Sequence, residues 1–309
     1  MKRAIVTGAT GFIGKWLVKE LSKSGYDVTA VVRNLQKVPS EWKDKIEVVE
    51  CNIENYPNMP GDSFRCNDYN LFFHLAWEGG TGFNRANYAM QLKNVYAACE
   101  ALKLSKRLGC QRFVNAGSIM EYEALQYIQQ DGAVPTAGYI YSTAKLTADF
   151  MLKSLAAQED IEYINVIISN VYGVGETSAR FLNQLLRKMI ANQRIALTSG
   201  EQLYDFIYVT DAVKGMICAA QKGKKNFAYY IGNHTPHPLK TYILQIKEIL
   251  DSNAELVFGE VPFNGVMLSY KEFDTSKLYD LGYNIEIPFQ EGVLMTTEWI
   301  RGENSSYGF

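Results

Sequence analysis

Apolar residues fall along this chain in short compact runs separated by longer stretches of helical spacing. Residues 2–6 form one such run and residues 7–14 are rich in glycine. Residues 12–24 then place Ile13, Trp16, Leu17 and Leu21 at i, i+3, i+4 and i+8. That stripe covers one face of a helix, and Gly25 follows it as a helix C-terminus prefers. Compact runs at 27–32, 46–50, 71–76, 112–116 and 163–168 read as strands, and 84–108 and 139–157 as helices. None of the strand runs alternates strictly, which suits a parallel sheet covered on both faces. Strand and helix alternating from residue 2 to about residue 168 predict an α/β fold with a doubly wound parallel sheet.

The second half is less regular. Residues 180–192 read as an amphipathic helix and 205–209 as a strand. Residues 211–221 read as a helix with Asp211 as its cap or first-turn acid. A further helix is expected at 239–250, loop or strand at 262–269, a short helix at 276–281 stopped by Gly282, and a frayed polar tail at 302–309. No internal repeat or low-complexity linker separates the halves, so the second region is expected to pack on the first.

Composition narrows the class. Lys and Arg number 31 against 33 Asp and Glu in 309 residues, a net charge of -2 that argues against a nucleic-acid binder. Hydrophobic residues make up 47 %, enough for a sizeable core, while no apolar run approaches the roughly 18 residues of a membrane span. The start Met1-Lys2-Arg3 resembles that of a signal peptide, but the apolar run after it ends at Thr7. The five cysteines (51, 66, 99, 110 and 218) form no CxxC pair, and His74, His234 and His237 show no ligand spacing. The expectation is a soluble cytoplasmic protein with free thiols and no metal.

The chemistry begins at Thr7-Gly8-Ala9-Thr10-Gly11-Phe12-Ile13-Gly14, between the first strand and the first helix. Gly8 permits a tight turn, Gly11 lets the backbone approach a pyrophosphate, and Gly14 lets the helix sit against the sheet. The free N–H groups and positive dipole end of the helix then face the phosphates. Where an NAD site places an acid at the end of the second strand, this chain reads Val31-Val32-Arg33-Asn34, with Lys37 shortly after. A guanidinium there suits the 2′-phosphate of NADP, onto which arginine forks.

The spacing G-x-x-G-x-x-G resembles that of the short-chain dehydrogenase/reductase superfamily, in its extended branch of nucleotide-sugar epimerases, dehydratases and reductases. Further pieces resemble the family in order: His74-Leu75-Ala76, Asn94-Val95, Tyr141-Ser142-Thr143-Ala144-Lys145, Asn170-Val171-Tyr172-Gly173, and the stretch from Asp205 to Asp211. The resemblance covers residues 1 to about 215 and thins toward the C-terminus. It implies a Rossmann domain over 1–170, returned to by 205–232, and a substrate lobe from 171–204 and 233–309. It also implies a homodimer through the helices at 84–108 and 140–157.

For the cofactor the resemblance implies contacts from Gly8, Thr10, Gly11, Phe12, Ile13 and Gly14, and from Arg33 and Asn34. Asn52 and Ile53 stand where the family usually has Asp-Leu beside the adenine. Leu75, Ala76, Trp77, Asn94, Ala116 and Val171 complete the set with Tyr141 and Lys145. For the substrate it implies Glu78, Ser118 and Asn170, to which this chain's own Arg180 and Tyr204 are added as candidates. With 20 tyrosines in the chain, one YxxxK is expected by chance, so its place after Ala116-Gly117-Ser118 carries the weight. Residues i and i+4 share one helix face. There Lys145 favours tyrosinate over a phenol whose free pKa is about 10, and Ser118 hydrogen-bonds the substrate oxygen.

Departures from the family sharpen the reaction. Where its dehydratases carry an acid pair after the catalytic hydroxyl residue, this chain has Ile119 and Met120, which argues against dehydration. Trp77-Glu78-Gly79-Gly80 resembles reductases of 4-keto deoxysugar nucleotides. The expected activity is therefore NADPH-dependent reduction of such a 4-keto group, with NAD(H) also admitted as cofactor. The alternatives are an NAD-dependent 4-epimerase and, of another class, a non-enzymatic NADP-binding sensor. Tyr204 stands where the family has an arginine that clamps pyrophosphate, and no arginine occurs between Arg194 and Arg301. That leaves Arg180, Arg187 or Lys271 as substitutes, or a substrate without a diphosphate.

Overall fold

The computed structural model describes residues 2–129, 131–132 and 134–302. Its first half lays down β1 (Lys2–Thr7), α1 (Phe12–Lys23), β2 (Tyr26–Val32), β3 (Glu47–Glu50), β4 (Leu71–His74), α2 (Tyr88–Arg107) and β5 (Arg112–Ser118). Then come α3 (Met120–Ile128), α4 (Tyr139–Gln158) and β6 (Glu162–Ile168). The second half adds β7 (Asn170–Tyr172), α5 (Phe181–Ile190), β8 (Ile195–Ala196), β9 (Leu203–Tyr204), β10 (Phe206–Tyr208), α6 (Val209–Lys222) and β11 (Phe227–Ile231). It closes with β12 (His237–Pro238), α7 (Leu239–Ile249), β13 (Leu256–Val257), α8 (Ser276–Tyr279) and α9 (Phe289–Arg301).

Seven strands form one parallel sheet in the order β11-β6-β5-β4-β1-β2-β3. The order reverses between β1 and β4, the switch point where doubly wound sheets open a crevice at the carboxyl ends of their strands. Successive side chains serve opposite layers. Ala4 and Val6 pack with Leu17 and Leu21 of α1 and Met216 of α6, while Ile5 packs with Ala98 and Leu102 of α2 and Leu152 of α4. Both faces are thus apolar and covered, which is why the strands do not alternate.

Of the second half only β11 joins the large sheet, beside β6; the other strands pair in small sheets, β7 with β10, β9 with β12, and β8 with β13. An aromatic cluster joins them, with Tyr242 4.8 Å from Phe289 and 5.0 Å from Phe206, ring centre to ring centre. Tyr208, Tyr229 and Tyr230 are buried and Tyr270 is exposed, so the aromatic richness of this half serves packing.

Several boundaries differ from expectation. The helix expected at 84–108 starts at Tyr88, because Asn87 caps it by accepting from the Met90 amide (3.1 Å) and residues 82–86 form a separate 3-10 turn. The strand expected at 205–209 is broken at Asp205, and α6 begins at Val209, two residues early, with Asp211 as the first-turn acid that was one of its two expected roles. Residues 262–269 form a loop, one of the two states expected of them, whereas α3 and α9 are elements the pattern did not predict. Of the tail expected at 302–309, all but Gly302 lies outside the described residues. No helix among the described residues is long and apolar enough to cross a membrane.

Candidate active site

The site is built on the carboxyl ends of β1, β4, β5 and β6. Gly8 has φ +67°, and a Cβ there would lie 2.8 Å from the Ala76 amide nitrogen. A Cβ at Gly14 would run into the Gly8 carbonyl and lie 2.9 Å from the Ala9 backbone. The first turn of α1 has no side-chain cap and no acid, so its amides are open to an anion. Thr7 ties this loop to β4: its hydroxyl accepts from the Leu75 and Ala76 amides (3.2 and 3.3 Å) and meets His74 Nδ1 at 3.0 Å. Burial holds His74 neutral, with its pKa near 3. A glycine cradle closed to any Cβ, facing open helix amides, fits the pyrophosphate of a dinucleotide.

Arg33, at the end of β2, donates to Glu78 across the opening of this loop, Nη1 to Oε1 2.7 Å. One residue expected at the cofactor and one expected at the substrate are therefore paired with each other. Asn94, which is buried, fixes the Glu78 backbone at both ends, accepting from its amide (2.9 Å) and donating to its carbonyl (2.8 Å). Asn34 accepts from the Gln36 amide and shapes the turn after β2. Asn52 is exposed at the end of the next strand, whereas Ile53 and Val171 are buried in the core and Phe12, Ile13 and Leu75 pack partly against it.

At the reacting end, Tyr141 and Lys145 stand one turn apart on α4. The Lys145 ammonium donates to the Ala116 carbonyl (2.8 Å) and lies 3.7 Å from the centre of the Trp77 ring. Trp77 is itself held by its indole N–H on Gln91 (2.8 Å) and meets Tyr141 edge-on. Ser118 ends β5; its amide donates to Glu121 Oε1 (2.7 Å) and its hydroxyl accepts from the Met120 amide (3.3 Å). Desolvation raises the Tyr141 pKa above the usual tyrosine value, while the Ser118 hydroxyl, Arg85 and Arg180 pull it back. Burial pushes the Lys145 pKa down, opposed by Glu121, whose own pKa is pushed up by burial and by Asp149.

Three residues that the motifs did not point to complete this end. Glu121 is buried behind Ser118 and also accepts from Asn165 Nδ2 (3.1 Å). Glu123 accepts from the Tyr139 hydroxyl (3.0 Å), and burial lifts its pKa to about 7. Arg85 lies over the Tyr141 ring, its Cζ 4.6 Å from the ring centre. The acids at 121 and 123 stand out in the sequence as charges after an apolar strand, but nothing local to Arg85 marks it.

On the substrate side, Asn170 donates its amide to the Asp205 carbonyl (3.2 Å). Arg180 pairs with Glu176 at 3.4 Å and also bears electrostatically on Tyr141. Of the other substitutes for the missing arginine, Lys271 is exposed beside Glu272, and Arg187 is bonded to Asn183 on its own helix. Tyr204 packs between Phe181 and Phe206.

Comparison with known proteins agrees with this geometry. The profile described as the NAD dependent epimerase/dehydratase family matches residues 4–232. The chain belongs to that family. Members are NAD(P)-dependent oxidoreductases and epimerases, so the protein is an enzyme of the extended short-chain dehydrogenase/reductase type. It is 26 % identical over 299 residues to CDP-abequose synthase of Salmonella muenchen, covering 94 % of this chain and 96 % of that one. Among solved structures it is similar to UDP-glucose 4-epimerase of Thermotoga maritima with UDP-glucose, with a TM-score of 0.80 and 22 % identity over 97 % of this chain and 99 % of that one. It is also similar to MoeE5 in complex with UDP-glucuronic acid and NAD, with a TM-score of 0.79 and 24 % identity over 98 % and 100 % of the two chains. Those two likenesses establish the shared fold.

Proposed function

We propose that this enzyme reduces the 4-keto group of a nucleotide-linked deoxysugar, with NADPH as the reductant and Tyr141 as the proton donor. The observation that carries this reading is the reacting end itself. Tyr141, Lys145 and Ser118 converge there, while Ile119, at the position after the hydroxyl residue, is buried and apolar and Met120 carries no acid for an elimination. Glu121 does not replace them, because it is turned behind Ser118 onto a backbone amide and Asn165. The likeness to CDP-abequose synthase, a nucleotide-sugar enzyme by its name, supports the substrate class.

A reduced nicotinamide dinucleotide held through its pyrophosphate by the glycine loop would supply the hydride. The Ser118 hydroxyl holds the carbonyl oxygen of the substrate, and the Tyr141 O–H gives its proton to the alkoxide as it forms. Lys145 steadies the ionised tyrosine and offers its ammonium to the cofactor ribose. The remaining cofactor-site residues named from sequence keep those roles in this proposal, with Asn94 acting through the Glu78 backbone. The enzyme works as a homodimer through the outer faces of α2 and α4.

A second reading, an NAD-dependent 4-epimerase, is favoured by one observation: Arg33 is already engaged by Glu78, so a 2′-phosphate has to displace a carboxylate. The test is a screen of 4-keto-6-deoxy sugar nucleotides, following NADPH oxidation by absorbance. Tyr141→Phe is expected to lose about 10²–10⁴ in rate on the substrate so found, about 3–5 kcal/mol of barrier lowering. Near-normal turnover by that variant removes the proton-donor role. Copurified NAD that resists dialysis, with no NADPH turnover, selects the epimerase.

A further inference from the structure

Arg85 is held at the reacting end in a way that its local surroundings do not explain. It lies in the 3-10 turn Gly82–Ala86, and the turn is pinned. The buried Gln91 side chain donates to the Gly79 and Asn84 carbonyls (3.1 Å each), and Asn87 caps the helix that follows. From there the side chain crosses to α4 and lies on the ring of Tyr141, 4.6 Å from its centre. Its Nε is shut off from solvent without a hydrogen-bond partner, and the guanidinium makes no ion pair among the described residues.

Arg85 is part-buried, and the Nε that has lost its water recovers little of that hydration from a neutral phenol. Resting on a tyrosinate, the same cation faces a full negative charge at short range and low dielectric. The arrangement is thus complementary to Tyr141 in the state that follows loss of its proton, which is the state catalysis has to stabilise. Lys145, a second cation at this end, also donates to the Ala116 carbonyl and lies against the Trp77 ring in the field of Glu121, so its charge is shared.

We propose that Arg85 is an electrostatic partner of Tyr141, stabilising the tyrosinate left when the proton passes to the substrate. This rests on the reading of Tyr141 as proton donor. In that step the phenolic O–H bond breaks, an O–H bond forms on the alkoxide, and the electron pair stays on the phenolate oxygen. Arg85 remains protonated throughout. The groups that bear on Tyr141 besides Arg85 are Ser118 at the end of β5, Glu121 on α3, Trp77 after β4 and Arg180 just before α5, with Lys145 one turn further along α4. Glu121 opposes the ionisation, and Arg180 shares its charge with Glu176. Glu123 on α3 acts on Arg85 itself.

The test is ¹⁹F NMR of the full chain labelled with difluorotyrosine, whose lower phenol pKa brings the titration into a mild pH range. The Tyr141 signal is identified by its loss in Tyr141→Phe. Without substrate or cofactor, Arg85→Met is expected to raise the Tyr141 midpoint by about one pH unit, a tenfold change in ionisation, and Arg85→Lys to restore at least half of it. The basic limb of the rate profile should move in the same direction. Arg85→Gln provides a second neutral variant should Arg85→Met not fold. An unchanged midpoint in a folded neutral variant overturns the proposal, and so does an equal shift in Arg85→Lys, which would assign the effect to packing. Full activity in Tyr141→Phe overturns the proton-donor reading, and that result is obtained separately from the NMR midpoints.

Discussion

The pair Arg33–Glu78 shows how one contact redirects the meaning of a residue. Arg33 is 60 % exposed at its side chain, and an exposed ion pair of this kind is worth little, about 0–1 kcal/mol. A phosphate can therefore displace Glu78 at small cost, but it arrives beside a residue whose backbone the buried Asn94 holds in place. Under the NADPH reading, Arg33→Ala is expected to weaken NADPH binding by about 1.5–3 kcal/mol with little effect on NADH. Glu78→Gln is expected to strengthen NADPH relative to NADH, and calorimetric titration of both cofactors checks the two variants. Equal losses for both cofactors in Arg33→Ala would remove the 2′-phosphate contact. Asp205 makes a prediction of a different kind. Its buried carboxyl accepts from the Tyr230 hydroxyl (2.7 Å) and the Asn233 amide (2.9 Å), yet burial lifts its pKa to about 7. A raised folded pKa means that its stabilising contribution is whole below the unfolded value near 3.9 and is lost as pH rises through about 7. Urea midpoints of the wild type should therefore fall between pH 4 and 7 relative to Asp205→Asn, which has no such titration. The glycines and the Tyr141–Lys145 pair, whose proposed roles are local, were readable in the sequence as motifs. Arg85, Glu121 and Glu123 were not, because what matters about them is which distant side chain they reach.

At the scale of elements, the alternation of short strands with helices was readable because the strands are compact apolar runs and helices such as α1 and α6 carry a clear stripe. What escaped were elements whose inner face is not apolar. The buried positions of α9 are Gly292, Val293, Thr296 and Thr297, so small and hydroxyl-bearing residues interrupt the stripe. The strand β5 runs into α3 with only Ile119 between and no side-chain cap, which leaves no punctuation to read. The junction that positions the proposed cofactor is more sharply written. Gly14 has ordinary helical geometry, yet any side chain there meets the backbone of Gly8 and Ala9, neither of which can swing aside. Gly14→Ala is expected to force α1 away from β1, at about 1–3 kcal/mol of stability. It should also weaken dinucleotide binding, since the helix amides move with the helix. Denaturant unfolding and cofactor titration on the same preparation read both effects, and a fully stable variant with unchanged binding would show that the glycine spacing is not a close-packing requirement.

On the whole molecule, the two covering layers are unequal in what they leave exposed. The outer surface of α2 presents Tyr88, Leu92 and Tyr96 at i, i+4 and i+8, 68 %, 61 % and 58 % exposed, and the adjoining α4 presents Phe150 and Met151. The two helices pack against each other, so these side chains form one apolar face on the layer opposite α1 and α6. Contiguous apolar surface of this kind marks an interface, and two copies meeting through it about a two-fold axis would bury it on both. The same helix α4 carries Tyr141 and Lys145 on its inner side, so assembly would also brace the helix that bears the proton donor. The double substitution Leu92→Glu with Tyr96→Glu places like charges on both sides of the proposed axis and is expected to give a monomer at micromolar concentration in sedimentation velocity, where the wild type is expected to sediment as the proposed dimer. Because dimerisation stabilises the folded state by mass action, the wild-type Tm should rise with protein concentration and that of the variant should not. A wild type that sediments as a monomer, with a Tm independent of concentration, would leave this face without the partner proposed for it.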